Sequence, residues 1–256
     1  MQKSVDIYTE IIESKSLDNH PDYKKHYKKL KEVDKFLPPS DSFLLLLNAE
    51  KLSYEFVSKN FEYILGYPVE RMLKEGVNFW FSLIHPDDLK VWLNVIDDLL
   101  KYTLNKVIAG NRSRLIYIYN FRVQNSEGKY LNLHAHFNPL EFGRNSKPVI
   151  GLSHYSVIPV KTTRPMIGVV KILNDNDIYE TLFYKNYSHD NFTDNLTKRE
   201  RDIVRLLATN MTSKEIGERL FISSHTVDKH RRNILKKLNF KSTGEIIQYC
   251  KENPLF

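Results

Sequence analysis

The last quarter of the chain repeats one local pattern three times, a Ser or Thr followed three residues later by Glu. The pairs are Thr197–Glu200, Thr212–Glu215 and Ser242–Glu245. In such a pair the hydroxyl and the carboxylate each satisfy a free backbone N–H at the start of a helix. Apolar residues at helical spacing follow each pair. The pattern predicts a compact helical domain over residues 196–256.

Four helices are expected in this domain: Lys198–Thr209, Ser213–Leu220, Ser224–Leu238 and Thr243–Lys251. Asn210 stands where the first helix would end in a left-handed residue. A three-residue turn joins the second and third helices, which is the layout of a helix-turn-helix.

Net charge is concentrated in the same segment. The chain carries +7, and residues from Leu196 onward account for +6 of it. A basic domain beside a neutral one is typical of nucleic-acid binders, although a basic surface without a partner gives the same count. The exposed side of the third helix is expected to hold long donors that reach guanine edges, adenine edges and phosphates, including Lys229, Arg232 and Asn233.

The motifs Leu196–Glu200, Ser213–Ile216, Thr226–His230 and Asn233–Leu238 together resemble the LuxR-type helix-turn-helix. The resemblance implies a four-helix DNA-binding domain that acts as a dimer on double-stranded DNA. It also assigns expected contacts. Base contacts are expected from Asp228, Lys229 and Arg232. Backbone contacts are expected from Thr212, Ser213, Lys214, His225, Thr226 and Lys236.

Asp228 departs from the family pattern, in which Lys is common at this position. An aspartate there accepts from a cytosine amino group or stabilises the positive end of its own helix. The sequence leaves both readings open.

Residues 41–160 mix short strands and helices. The segments Tyr54–Ser58, Asn60–Tyr67 and Ile84–Asp88, with three strands after them, resemble a PAS domain. The resemblance implies a five-stranded antiparallel sheet with helices on one face. It also implies a domain that senses a small molecule, binds a cofactor or dimerises. The whole chain is therefore expected to be an α+β protein with a C-terminal all-α domain.

Two segments flank this domain. Residues 1–40 are expected to form a helical extension, whose lysine-rich helix Asp22–Phe36 we interpret as a solvated face rather than a nucleic-acid patch. Residues 161–195 are expected to hold an extra hairpin, Ile167–Leu173 with Ile178–Lys185, and a linker.

Composition excludes several classes of protein. Cys250 is the one cysteine, so intrachain disulfides, multi-cysteine metal sites and a cysteinyl–flavin photoreceptor are ruled out. The longest apolar runs have five residues, against about 20 for a membrane helix. With no signal peptide in evidence, we expect a cytoplasmic protein.

Three histidines are candidate ligands. His85 precedes a predicted helix and is interpreted as its cap rather than a haem ligand. His134 and His136 share one face of a strand, where they either pack or bind a metal. We assign no metal and no evident cofactor, and any PAS ligand is unknown.

The sequence therefore predicts a DNA-binding transcription regulator whose PAS-like domain senses a signal, dimerises, or does both. Its partners would be double-stranded DNA, a second copy of the chain and a small-molecule effector, with no membrane. The alternative is a ligand-free PAS interaction module tethered to a constitutive or partner-controlled DNA binder. Catalytic motifs are lacking, because no nucleophile elbow, paired-carboxylate motif or metal-ligand spacing occurs, so an enzyme is not expected.

Overall fold

The computed structural model describes residues 2–13, 23–159, 166–187, 196–238 and 240–252, without the side chains of Tyr249, Lys251 and Glu252. The chain divides into two compact units, residues 1–186 and 187–256.

The first unit is built on a seven-stranded antiparallel sheet in the order β2-β1-β5-β4-β3-β6-β7. The strands are β1 (Ser42–Asn48), β2 (Ser53–Val57), β3 (Leu115–Gln124), β4 (Tyr130–Phe142), β5 (Pro148–Val157), β6 (Ile167–Leu173) and β7 (Tyr179–Asn186). The first five strands are those expected from the PAS resemblance. The extra hairpin is β6 and β7, and it widens the sheet because β6 pairs with β3.

Five α-helices surround this sheet: α1 (Gln2–Ile12), α2 (Tyr23–Phe36), α3 (Asn60–Leu65), α4 (Val69–Leu83) and α5 (Pro86–Lys106). A short 3-10 helix, Ala109–Arg114, leads from α5 into β3. Gly66 ends α3 with φ 71°, a left-handed conformation that glycine adopts without steric cost. Helix α1 buries Val5, Tyr8 and Ile12, which share one helical face, against α4 and α5.

Helix α2 lies on the other face of the sheet. Its Leu30 packs with Leu46 and Phe56, whose neighbours along the strands point to the opposite face. Helix α2 belongs to the N-terminal extension and not to the PAS-like segment, and it adds a helix on the second face of the sheet. The lysine-rich helix supplies apolar side chains that cover β1, β2 and β5. Helical spacing from Leu30 would place Val33 on the same face, but Val33 is 47% exposed.

Hydrogen bonds from the segment His85–Asp88 hold the start of α5 against β3. His85 is the N-cap, because its Nδ1 accepts from the backbone N–H of Asp87 at 3.2 Å. The backbone N–H of His85 donates to the carbonyl of Arg122 at 2.9 Å. Asp88 accepts from the backbone N–H of Arg122 at 2.8 Å and from its Nε at 3.0 Å. The capping interpretation of His85 is confirmed.

The described residues of the second unit form four helices: α6 (Lys198–Ala208), α7 (Ser213–Leu220), α8 (Ser224–Leu238) and α9 (Thr243–Glu252). Reciprocal capping boxes open α6 and α7, as expected. At α9 only half of the pattern forms, because Glu245 accepts from the N–H of Lys241 instead of that of Ser242. Asn210 adopts the expected positive φ, 62°.

One apolar cluster forms the centre of this unit and draws on all four helices. Its fully buried members are Leu196, Ile203, Val204, Leu207, Ile216, Val227, Ile234, Ile246 and Cys250. Leu206, which helical spacing from Ile203 would place among them, is only partly buried.

Candidate nucleic-acid interface and ligand cavity

The turn between α7 and α8 is held by hydrogen bonds at both ends. The N–H of Ile222 donates to the carbonyl of Gly217 at 2.9 Å and closes α7. Ser223 Oγ accepts from the N–H of Thr226 at 3.0 Å and opens α8. Between them Phe221 has φ 56° and is 94% exposed. The turn therefore fixes the path of α8 relative to α7.

Helix α8 carries a stripe of exposed donors, which we call the basic stripe: His225, Lys229, Arg232 and Lys236. These residues follow each other at spacings of four, three and four, so they share one helical face. The stripe runs for about 16 Å at 1.5 Å per residue. No hydrogen bond or ion pair from these side chains is found within the described residues of the chain. A row of free donors of this length fits the major groove of DNA.

Lys214 adds a cation at the first turn of α7. It is exposed and, like the basic stripe, makes no ion pair with any residue that the structure describes. The first turn of a helix favours anions through its free N–H groups. Lys214 and this helix end are therefore suited to a phosphate.

The expected hydroxyl contacts all have partners inside the protein. Thr212 Oγ1 donates to Glu215 Oε2 at 2.7 Å in the capping box of α7. Thr226 Oγ1 lies 2.8 Å from Ser223 Oγ. These threonines hold the helix starts in place.

Asp228 belongs to a small network at the crossing of α7 and α8. Its Oδ1 accepts from Ser213 Oγ at 2.6 Å. Arg231 donates to the same Ser213 oxygen at 2.5 Å and to Thr243 Oγ1 at 3.0 Å. The carboxylate thus lies beside a guanidinium as well as near the positive end of its own helix.

Sequence reasoning missed Arg231. It follows the buried Val227 by four residues and precedes the buried Ile234 by three, so it lies on the inward side of α8. That spacing was the available signal. Arg231 joins α7, α8 and α9 instead of pointing outward like Arg232.

A second polar contact, an ion pair, joins α6 to α8. Lys237 Nζ lies 2.7 Å from Glu200 Oε2, and Glu200 is 3% exposed. The N–H of Thr197 donates to the same oxygen at 2.8 Å. Burial alone raises the pKa of Glu200, but the bonds from Lys237 and Thr197 outweigh it and leave that pKa below its ordinary value. Glu200 is therefore a buried carboxylate that remains ionised.

The first unit contains a cavity between its sheet and its helices. The space that the centre of a water molecule can occupy in it is about 50 Å³. A single water needs roughly 10–15 Å³ of such space. Helix α1 forms part of the wall through Tyr8 and Ile12. The space is therefore large enough for several waters or for one compact molecule.

The polar atoms of the wall belong to hydroxyls and indoles. The hydroxyls of Ser153 and Tyr119 lower the pKa of Tyr155, but burial has the larger effect. Burial raises the pKa of Tyr155 to about 12 and that of Tyr119 well above its ordinary value. The tyrosine hydroxyls therefore remain protonated at neutral pH.

Two indole donors of this wall are unsatisfied. Nε1 of Trp80 and Nε1 of Trp92 are buried, and neither has a hydrogen-bond partner among the residues that the structure describes. Both tryptophans line the cavity. Buried N–H groups are nearly always paired in folded proteins, so this pair calls for an explanation.

The histidines of β4 lie on the opposite face of the sheet from the cavity. The rings of His134 and His136 are 4.8 Å apart, and His154 of β5 lies 6.4 Å from His136. Burial, and then His154 and Lys171, lower the pKa of His136. Within the described residues no three candidate metal ligands converge.

Two family models match the chain. The model for bacterial regulatory proteins of the luxR family matches residues 194–250, and the model for the PAS fold matches residues 54–153. The chain therefore carries a PAS-fold domain followed by a LuxR-type helix-turn-helix domain, which confirms both resemblances.

Individual relatives match either a shorter segment of the chain or a longer one at lower sequence identity. The oxygen regulatory protein NreC of Staphylococcus carnosus is 43% identical over 60 residues, which is 23% of this chain and 28% of NreC. The nitrate/nitrite response regulator protein homolog of Haemophilus influenzae is 42% identical over 67 residues, 26% of this chain and 32% of that protein. The chain thus spans less than a third of the length of these curated relatives.

Among solved structures, the Vibrio cholera VqmA–ligand–DNA complex is 14% identical to this chain. The match covers 90% of this chain and 87% of that one, with a TM-score of 0.32. In the described ranges, no helix has both the length and the apolar character needed to cross a membrane.

Proposed function

We propose that this protein is a sequence-specific DNA-binding transcription regulator that acts as a homodimer in the cytoplasm, with a PAS-fold domain that senses a small molecule. The observation that carries the proposal is the basic stripe of α8 on a helix-turn-helix frame. Its donors are exposed and free of partners within the described residues. An ordinary solvated helix would more often pair such cations with acidic neighbours.

Within this proposal the predicted DNA contacts divide into two groups. Lys229 and Arg232 lie near the middle of the basic stripe and read base edges. Lys214, His225 and Lys236 lie at its ends or on α7, where they bind phosphates. Asp228 contacts a base only if its carboxylate accepts from that base while it also accepts from the hydroxyl of Ser213.

The hydroxyl groups have supporting roles in the same proposal. Thr212, Ser213 and Thr226 lie at the starts of α7 and α8, beside the free N–H groups that attract phosphate. Their hydroxyls are engaged in internal hydrogen bonds. They therefore place these helix starts against the DNA backbone more than they bind it directly.

The cavity supports the sensing half of the proposal. A PAS domain that served only as an interaction module would be expected to fill its core to ordinary packing density. Here about 50 Å³ remains open between the sheet and the helices. A small-molecule effector would account for this open space.

DNA binding is tested by selecting sites from a random double-stranded library with the full chain, then measuring affinity against salt. We expect one enriched, two-fold related sequence and an affinity that falls steeply with salt. The matched control is Arg201→Ala, which removes an exposed arginine of α6 outside the basic stripe. No enriched sequence, together with a flat salt response, would contradict the proposal.

Sensing is tested by native mass spectrometry of the freshly purified chain against its denatured mass. A mass excess that disappears on denaturation is the expected result and identifies a bound molecule. A dimer without any excess supports the alternative, an interaction module that holds no ligand.

A further inference from the structure

Positive charge outside the DNA-binding unit is concentrated in α2. The 14 residues of this helix contain six lysines and two acids, a net charge of +4. The other residues of positions 1–195 hold 19 Lys and Arg against 22 Asp and Glu, a net charge of −3. A cationic helix thus belongs to a unit that is otherwise slightly acidic.

The orientation of α2 is fixed by the side chains on its inner side. Leu30, Tyr23 and Tyr27 pack against β1, β2 and β5. The carboxylate of Asp34 accepts from the backbone N–H of Lys59 at 3.1 Å. Five lysines are exposed on the rest of the helix, a surface that we call the α2 patch: Lys24, Lys25, Lys28, Lys29 and Lys31. The packing of α2 on the sheet therefore leaves the α2 patch facing solvent.

The α2 patch has no acidic partners within the described residues. None of its ammonium groups makes a hydrogen bond or an ion pair there, and Lys31 lies only over the ring of Tyr27, 5.9 Å from the centroid. The sixth lysine of the helix, Lys35, is different, because its Nζ lies 2.8 Å from Glu32 Oε1. The interpretation of α2 as a solvated face came from the sequence, which does not show these partners.

The spacing of the lysines works against the helix. Lys28 stands four positions after Lys24 and three before Lys31, and Lys29 stands four after Lys25. Like charges at these spacings are neighbours on the helix surface and destabilise it. A helix that only covered the sheet would be more stable with acidic residues at some of these positions. The arrangement therefore favours a surface that binds a polyanion, whose charges relieve the repulsion.

Duplex DNA is the polyanion that these observations favour. The α2 patch covers about 10 Å of helix at 1.5 Å per residue, and duplex DNA carries one phosphate charge per about 1.7 Å of its axis. The chain is already proposed to hold DNA through α8, and a second contact made by the same chain gains from a high effective concentration. Lysine binds phosphate as a point charge and reads no base in doing so.

A membrane surface fits α2 less well. An amphipathic helix binds a bilayer by burying its apolar side in the headgroup region. The apolar side of α2 already packs on the sheet, where Leu30 is 9% exposed. The exposed apolar residues of the helix are Val33 and Phe36 in its last turn. The charge of α2 is therefore not accompanied by an apolar face that is free to insert.

We propose that the α2 patch is a second DNA-binding surface, which holds phosphates of the duplex that α8 reads and does not itself select a base sequence. This inference rests on the proposed function and adds a DNA contact in the first unit. The unit that is proposed to sense the effector would then bind DNA directly as well.

The test compares two quadruple variants of the full chain with the same change of charge. One variant changes four lysines of the α2 patch: Lys24→Gln, Lys25→Gln, Lys28→Gln and Lys29→Gln. The matched control changes four exposed lysines of the first unit that form no ion pair within the described residues: Lys3→Gln, Lys74→Gln, Lys90→Gln and Lys106→Gln. Each is titrated with a duplex that extends several helical turns beyond the selected site on both sides.

We expect the α2 variant to reduce the slope of log affinity against log salt by about 2 to 4 per copy of the chain, because each phosphate contact contributes about 0.9. The control should keep the wild-type slope. The sequence enriched from a random library should be the same for all three proteins. The Tm of the α2 variant should not fall, since the repulsion between lysines is relieved.

A charge-conserving variant separates charge from side-chain identity. Lys24→Arg, Lys25→Arg, Lys28→Arg and Lys29→Arg together keep all four cations and should retain the wild-type slope.

Three results would overturn the inference: a wild-type slope in the α2 variant, equal losses of slope in the α2 variant and the control, or a changed base preference in the α2 variant. With an unchanged slope, binding of the wild type but not the α2 variant to phosphatidylserine vesicles would assign the patch to a membrane surface instead. Failure of the proposed function is seen separately, because the wild-type chain would then enrich no sequence at all.

Discussion

Gly76 holds a backbone conformation that other residues avoid. Its φ of 57° and ψ of −139° interrupt α4, and a Cβ at this position would lie 2.7 Å from the carbonyl oxygen of Leu52. The same carbonyl accepts from the N–H of Val77 at 3.1 Å. The glycine thus lets α4 bend closely against the turn between β1 and β2.

Gly76→Ala should therefore destabilise the first unit by roughly 1–3 kcal/mol, the usual cost of a strained backbone. Urea unfolding followed by tryptophan emission measures it, because both tryptophans lie in this unit. The matched control is Gly110→Ala, where a Cβ meets nothing within 4 Å. Equal urea midpoints for the two variants would show that an alanine at position 76 causes no backbone strain.

Substitutions of Arg232 and Lys214 would separate the proposed base contact from the proposed phosphate contact. Arg232→Ala should cost about 1–3 kcal/mol of DNA affinity and relax the choice of base at one position. Lys214→Ala should weaken binding to all sequences alike and reduce the salt slope by about 1. Binding assays on the selected site and its single-base variants distinguish the two. An unchanged base preference in Arg232→Ala would remove it from the set of base contacts.

Side chains that face outward on α8 were predictable because periodicity and charge agree there. Arg231 was not, since its charge suggested solvent while its spacing placed it beside Val227. The hydrogen-bond partner of Asp228 could not be predicted from the sequence either. Ser213 lies 15 residues away, and only the crossing of α7 and α8 brings the two together.

At the scale of elements, the contact between Glu200 and Lys237 ties the start of α6 to the end of α8. The folded pKa of Glu200 lies below its ordinary value of 4.5. The carboxylate therefore stabilises the fold above about pH 4.5, and this contribution is lost as the pH falls through the lowered pKa.

Glu200→Gln should destabilise the second unit at pH 7 by about 1–3 kcal/mol, because Lys237 loses a charged partner and the capping box weakens. The loss should shrink as the pH falls from 4.5 through the lowered pKa of Glu200, below which the wild-type carboxylate is protonated too. Helical circular dichroism during urea unfolding at both pH values checks this. Glu218→Gln, a change at an exposed residue of α7, is the control, and a pH-independent loss would argue against the ionic contribution.

The first and last residues of the helices in the second unit could be predicted to within one residue. The capping residues Thr197 and Thr212 identify the starts of α6 and α7. Helix α4 was not predicted, since Gly76 interrupts its pattern and no capping residue opens it. The position of α2 was also unpredictable. Its lysines suggested a solvated helix, and nothing in the sequence shows which face of the sheet Leu30 covers.

At the scale of the whole molecule, nearly all of the excess charge belongs to the DNA-binding unit. A homodimer on a two-fold site would present two basic stripes about 34–36 Å apart, one turn of the duplex. Each copy would displace its own set of counterions from the phosphates.

The slope of log affinity against log salt should therefore roughly halve when the two-fold site is cut to a half-site. Titrations of the full chain on both fragments between 50 and 200 mM salt measure it. Identical slopes on both fragments would mean that one copy makes all the ionic contacts.

The cavity was the part of the site that sequence could not show. Its wall joins Tyr8, Trp80, Trp92 and Tyr155, which lie up to 147 positions apart and meet only after the sheet has closed against α1, α4 and α5. The PAS resemblance indicated a domain that can hold a ligand. The chemistry of the lining required the packed structure.

The added hairpin β6–β7 continues the hydrogen-bonded sheet from the cavity wall to the end of the first unit. Tyr117 and Tyr119 of β3 line the cavity, β6 pairs with β3, and β7 pairs with β6. Asn186, the last residue of β7, is also where the first unit ends. β6 is the one strand between the cavity-lining β3 and β7, and Lys185 of β7 also contacts Asp98 of the cavity-lining α5 at 2.9 Å. If the cavity holds an effector, as proposed, a shift of its wall would reach the end of the first unit through both connections.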